Sequence, residues 1–221
     1  MYVVVNAATS ADGKLSSRRR EQIAISGDED FARVDRLRAE VDAVAVGVGT
    51  VLADDPSLVR HDEAHRADHR GPEAAPPARV VVDSRCRTPA DAAILDGAPD
   101  TYVLTSEAAP DDRREALAAA GATLLAAGDD RVDLPAALGA LAEEGVDRLM
   151  VEGGGELIFS LFEAGLVDEL SVYVGGLVVG GREAPTLADG DGFLEAFPEL
   201  RLDDVRRLDD GVVLEWEVVG R

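Results

Sequence analysis

Four short segments carry residues whose types and spacing could do chemistry on a phosphate-bearing ligand. The first, Met150-Val151-Glu152-Gly153-Gly154-Gly155-Glu156, leads an apolar run into three glycines, after which Leu157, Ile158, Leu161 and Phe162 recur at helical spacing. That pattern predicts a strand, a bare backbone turn and a helix. Such a turn leaves helix-start N–H groups uncovered and lets a phosphate approach the main chain. A tight structural turn is the plain alternative. The acidic Glu156 suits the helix dipole, but it would repel a pyrophosphate unless it points away.

The second segment, Gly47-Val48-Gly49-Thr50, also ends a strand and opens a short helix; Thr50 offers a hydroxyl and Asp54 an acceptor, and Asp55-Pro56 forces the chain out of helix. The third, Asp83-Ser84-Arg85, ends another strand and brings a hydroxyl and a guanidinium. That pair suits the 2′-phosphate of an NADP-type cofactor, provided that Asp83 turns inward. An ordinary strand exit is the equal alternative. The fourth, Asp12-Gly13-Lys14, holds the only lysine of the chain. Its retention among so many arginines points to a task that arginine cannot perform, against chance survival on a solvated loop.

Other patterns are weaker. No Gly-Lys-Ser or Gly-Lys-Thr follows the triple glycine, so it is not a Walker A loop, and the dinucleotide fingerprint spacing is incomplete. His61, His65 and His69 stand four apart, but in polar, Pro-containing, non-periodic surroundings that favour a solvated loop over a metal site. No metal is expected. One cysteine, Cys86, leaves no disulfide framework and no cysteine-based zinc cluster.

The elements that must position these groups alternate. Strands are expected over Tyr2 to Asn6, Ala43 to Val48, Arg79 to Asp83, Thr101 to Thr105, Arg148 to Val151 and Glu169 to Val174. A helix is expected through Phe31, Val34, Leu37 and Val41, with Ser26 and Glu29 as a capping box. Further helices are expected after Pro110, over Leu134 to Glu144, and after the triple glycine. Residues 61–77 read as a mobile loop. Leu200 to Leu208 and Val212 to Val219 read as a closing hairpin around Asp209-Asp210-Gly211. Ligands bind at the carboxyl ends of strands in open sheets of this kind. The expected fold is α/β, a central mostly parallel sheet with an antiparallel C-terminal edge, flanked by helices. Neither an internal repeat nor an interdomain linker is visible, so 1–221 reads as one domain.

Composition sets the wider limits. The 221 residues support a substantial core, 46% apolar but only 4% aromatic, so Val, Leu, Ala and Ile must build it. Acidic residues outnumber basic ones 44 to 22, a net charge of −22. A surface so self-repelling suits a high-salt cytoplasm, where the Debye length falls to about 3 Å at 1 M. No basic stripe exists for nucleic acid. No apolar run reaches bilayer length, and the start lacks a signal-peptide pattern, so a cytoplasmic protein without membrane or nucleic-acid partners is expected.

Taken in order, Ala11-Asp12-Gly13-Lys14-Leu15, Leu37-Arg38-Ala39, GVGTVLADDPSL (47–58), VVVDSR (80–85), VEGGGEL (151–157), GLVDELSVYV (165–174) and GGREAPTLADGDG (180–192) resemble the stand-alone, archaeal-type pyrimidine reductases of riboflavin biosynthesis. The likeness covers nearly the whole chain. It implies a dihydrofolate-reductase-like fold, a homodimer, and reduction of a ribosylaminopyrimidine phosphate to its ribitylamino form with NADPH, or with NADH, as donor. By position it implies cofactor contacts for Thr50, Asp54, Ser84, Gly128, Gly153, Gly154, Gly155 and Glu156. Lys14, Arg38, Leu58 and Glu152 would face the substrate. Arg38 would act as a phosphate or carboxylate fork, against a helix-surface ion pair. Asp12 is a candidate proton donor by location. Glu156 departs from the small or hydroxyl residue often found there, and a second departure follows Leu58, where the segment reads Val59-Arg60-His61 and Arg60 is not assigned to the family's usual arginine position. Bifunctional relatives carry H-x-E and P-C-x-x-C of a zinc deaminase, motifs missing here. Another dihydrofolate-reductase-like enzyme acting on a pterin or pyrimidine, and a non-catalytic nucleotide-binding module, are the competing expectations.

Overall fold

A computed structural model describes residues 1–220. Its elements run β1 (Tyr2–Ser10), α1 (Asp28–Glu40), β2 (Ala43–Gly47), α2 (Val48–Asp54), α3 (Glu63–Arg70), β3 (Ala78–Val82), β4 (Thr101–Thr105), α4 (Asp111–Ala119) and β5 (Thr123–Ala126). They continue with α5 (Leu134–Glu143), β6 (Arg148–Gly153), α6 (Gly155–Glu163), β7 (Glu169–Gly175), β8 (Glu199–Leu208) and β9 (Gly211–Val219). The described strands hydrogen-bond in the order β5-β4-β3-β2-β6-β1-β7-β9-β8. The fold class expected from the sequence is the one observed.

The described chain divides into two compact units, one of residues 35–150 with Met1, the other of residues 2–34 and 151–220. In the first, β2, β3, β4 and β5 pair in parallel, Ala45 opposite Val80 and Val80 opposite Tyr102. Strands β2 and β3 bury almost every residue, the mark of a parallel sheet covered on both faces. The aliphatic side chains expected to form the core are there: Val44, Val80, Val81, Val103, Leu104, Leu117 and Leu141 are all buried. Each contributes roughly 1.5–3 kcal/mol of apolar burial. In the second unit β1 pairs with β7 in parallel, Asn6 opposite Ser171, while β7–β9 and β9–β8 are antiparallel. Ile25, Tyr173 and Val213 form a small cluster under Ala8, Ile23, Leu177 and Leu208.

Two expectations need correction, and one strand is additional. Residues 61–77 are not a loop throughout, because Glu63–Arg70 is helix α3. The Asp62 carboxylate caps its start by accepting from the His65 amide at 2.9 Å. The only buried residue of the helix is Arg66, which donates to the carbonyls of Ala75, Ala39 and Val41. A helix held by one buried guanidinium has no apolar period to read. Ser26 does not cap α1; its hydroxyl donates to Asp30 Oδ2. The cap comes instead from Asp209, whose carboxylate accepts from the Glu29 and Asp30 amides while Glu29 accepts from the Asp209 amide. This is a reciprocal cap between residues 180 apart in sequence. Finally, β5 (TLLA) was not anticipated, being a four-residue strand with no buried position to mark it.

Candidate active site

Sequence dictates the triple-glycine turn directly. Strand β6 buries Leu149, Met150 and Val151 and then runs out at Gly153, whose φ of 133° favours glycine. A Cβ built on Gly153 would meet nothing within 4 Å, so the turn is open on that side. Gly154 is the N-cap of α6, and no side chain caps the helix start. The first N–H groups of an α-helix lack intrahelical partners, so this turn offers main-chain donors and the positive end of the dipole to an anion. Gly155 has a different reason to be bare. A Cβ there would lie 2.4 Å from the carbonyl oxygen of Thr186. Glu156 is exposed and lies 3.8 Å from Arg20, so its carboxylate faces solvent. Glu152, one residue before Gly153, is half-buried.

The lysine loop of the same unit is tightly built. Asp12 accepts from the Ser10 hydroxyl at 2.6 Å and from the amides of Val179 and Gly180 at 3.0 and 2.7 Å. Led by the Ser10 bond, these donors lower its pKa to about 2. A carboxyl held that far down stays ionised at neutral pH, which corrects the expectation that Asp12 donates a proton; it is a fixed anion that anchors two loops. Lys14 Nζ donates to the Ala184 carbonyl at 3.1 Å, one of the three donors of an ammonium.

In the first unit, Gly47 caps α2, which stops at Asp54 as the Asp-Pro step predicts, although Asp55 itself takes the left-handed conformation. Thr50 stands in the first turn of that helix and is half-buried; Asp54 in its last turn is exposed, with nearby protein displacing enough water to raise its pKa. Asp83 does turn inward. It is fully buried and accepts from the Thr88 amide and hydroxyl at 2.7 and 2.9 Å, so its carboxylate holds the 83–88 turn rather than reaching a ligand. Ser84 Oγ accepts from the Val132 amide. Arg85 donates to the Ala108 carbonyl and pairs with the well-exposed Asp130 at 3.4 Å. Gly128 has a φ of 86°, and a Cβ there would meet the Arg131 carbonyl oxygen at 2.3 Å. The structure thus brings Ser84, Arg85 and Gly128 to one loop cluster beyond β3 and β4.

Arg38, in the last turn of α1, donates to the Arg60 carbonyl, and the Arg60 side chain pairs with Asp35 at 2.7 Å. Leu58 is buried with a φ of 52°. His65 pairs with Glu40 and stacks on His69, and no three-residue metal-binding group occurs among the described residues. Sequence reasoning missed Thr186 and Asp189. They hold the loop facing Gly155, and their Thr-x-x-Asp spacing was the available signal.

The mostly parallel sheet with its antiparallel hairpin edge is of the dihydrofolate-reductase-like class. A dihydrofolate reductase from Enterococcus faecalis matches 99% of this chain and 97% of its own with a TM-score of 0.51, at 11% identity. The family model of the RibD C-terminal domain matches residues 1–214, and the chain belongs to that family; the relatives named next are reductases. It is 47% identical to the 2,5-diamino-6-ribosylamino-4(3H)-pyrimidinone 5′-phosphate reductase of Archaeoglobus fulgidus, over 95% of this chain and 94% of that protein. The protein of the same name from Methanothermobacter thermautotrophicus is 43% identical over 99% of both. Among solved structures, RibD of Acinetobacter baumannii is 25% identical with a TM-score of 0.80, matching 99% of this chain and 58% of that one.

Proposed function

We propose that this chain reduces the ribosyl group of 2,5-diamino-6-ribosylamino-4(3H)-pyrimidinone 5′-phosphate to ribityl, a step of riboflavin biosynthesis, with NADPH as donor. One observation carries the reading: near end-to-end likeness to two reductases of that name, at 47% and 43% identity. The cofactor class follows from the family, and the site has groups that fit it. The uncapped start of α6 suits a pyrophosphate, with Gly153 leaving the approach open. Thr50, Asp54, Ser84, Arg85 and Gly128 complete the proposed cofactor contacts. Ser84 and Arg85 favour NADPH over NADH, because a 2′-phosphate would outcompete the exposed Asp130 for a bidentate guanidinium.

A nicotinamide held there would supply a hydride for sugar C1′ of the ring-opened imine, the nitrogen taking its proton from water. The protein supplies position and charge. Lys14 keeps two ammonium donors beyond its bond to Ala184 for a sugar hydroxyl or a developing negative charge. Glu152 orients substrate polar groups, Arg38 offers a fork for the 5′-phosphate, and Leu58 supplies an apolar wall. Asp12, ionised, holds the loop that carries Lys14. We also propose a homodimer in a salt-rich cytoplasm, without nucleic-acid or membrane partners. Support comes from the apolar side chains left exposed over residues 194–205, Leu194 at 90% with Phe197, Leu202 and Val205, which a second copy could cover. No helix among the described residues is long and apolar enough to cross a membrane.

The test is substrate discrimination. Purified protein in high salt should oxidise NADPH with the ribosylaminopyrimidine phosphate and ignore dihydrofolate; the reverse preference would move the chain to the pterin enzymes. Binding of nucleotide without turnover would make it a binding module.

A further inference from the structure

The Gly155 Cα faces protein rather than open space, and what it faces leads to the lysine loop. Its nearest neighbour is the Thr186 carbonyl oxygen, 2.4 Å from where a Cβ would stand, and its own carbonyl accepts from the Asp189 amide at 3.1 Å. Asp189 turns back on Thr186. Its carboxylate accepts from the Thr186 amide at 3.1 Å and from the Thr186 hydroxyl at 2.5 Å. Thr186 in turn forms an antiparallel bridge with Lys14, and the Leu15 amide donates to the Pro185 carbonyl at 2.9 Å. The Lys14 ammonium rests on Ala184, two residues before Thr186. One short turn, 184–189, therefore touches the glycine turn on one side and both the backbone and the side chain of Lys14 on the other.

We propose that Thr186 and Asp189 are positioning residues that hold Lys14 in register with the Gly153–Gly155 turn. The proposal rests on the reading above, in which Lys14 faces substrate and that turn faces cofactor. Asp189 acts through geometry. Its carboxylate closes the 186–189 turn, and that closure presents the Thr186 main chain to Lys14 and the Asp189 amide to Gly155. A glycine at 155 is required because a side chain would push the Thr186 backbone, and with it the Lys14 bridge, away from α6. Displacement of a reacting group by about 1 Å can cost on the order of 10²-fold in rate, so a turn of this kind has leverage on turnover without touching substrate.

The experiment uses the full-length protein in high salt and two independent readouts. By amide hydrogen exchange, Asp189→Ala should strip protection from the Leu15 and Asp189 amides together while leaving the β7 amides unchanged. Asp189→Asn, whose carbonyl can still accept from Thr186, should restore both. By kinetics, Asp189→Ala should lower kcat about tenfold or more with a smaller change in KM, and should add little in a Lys14→Ala background. Thr186→Val, which removes only the hydroxyl, serves the same comparison if Asp189→Ala does not fold. Independent loss of protection at the two amides, or rate losses from Asp189→Ala and Lys14→Ala that simply multiply, would overturn the coupling. A Lys14→Ala enzyme with wild-type turnover, alongside joint loss of protection in Asp189→Ala, would instead sink the functional reading and leave the turn's geometry standing.

Discussion

Asp12 shows how much a residue's role depends on partners that sequence does not name. Its place beside the only lysine suggested acid–base work. Its bonds to Ser10, Val179 and Gly180 make it a fixed anion with a pKa of about 2. The linkage has a definite sign. The folded pKa lies below the unfolded value near 3.8, so the stabilisation is present above that value and is lost as pH falls from it towards 2. Asp12→Asn should therefore be less stable than wild type at neutral pH, the gap closing below about pH 2, with no basic limb missing from its pH–rate profile. Urea melts at several pH values and a rate profile check both; a lost limb near neutrality would restore Asp12 as proton donor. Asp83 teaches the same lesson: it stands next to a candidate phosphate contact, yet its buried carboxylate serves Thr88. Lys14 and the glycines were visible because rarity and missing side chains are properties of sequence itself.

At the scale of elements, legibility followed hydrophobic period. Strands β2, β3 and β4 and the helix after Gly154 were plain because aliphatic runs and spacing mark them. Helix α3 was not, since Arg66 anchors it through main-chain carbonyls of residues 39, 41 and 75. The cap of α1 by Asp209 was equally hidden, because the partner lies at the other end of the chain. Arg66→Ala should leave three carbonyls without their donor, a loss on the order of 3 kcal/mol, and should release protection of the α3 amides in hydrogen exchange. A change below about 0.5 kcal/mol, the level of an ordinary surface substitution, would return residues 61–77 to the mobile loop that composition suggests.

For the molecule as a whole, charge decides the working conditions. With 44 acidic and 22 basic residues, many ion pairs are exposed, such as Arg20 with Glu156 and Arg85 with Asp130; pairs of this kind contribute little. The excess of negative charge is then relieved mainly by salt. Desalting should dissociate the proposed dimer and then unfold the chain, read by light scattering and circular dichroism; a folded dimer that persists in low salt would remove both the halophilic and the screening arguments. Fold class was legible at this scale because strand–helix alternation followed by a terminal hairpin leaves few topologies. The loop contacts of residues 184–189 were not, since hydrogen bonds between distant turns have no sequence period.

If bare main-chain donors at strand ends hold a pyridine dinucleotide, a crystal structure grown with NADPH in high salt should show the pyrophosphate on the amides at the start of α6 and the 2′-phosphate on Ser84 and Arg85. Nucleotide bound with its phosphates away from Gly153–Gly155 would overturn that assignment.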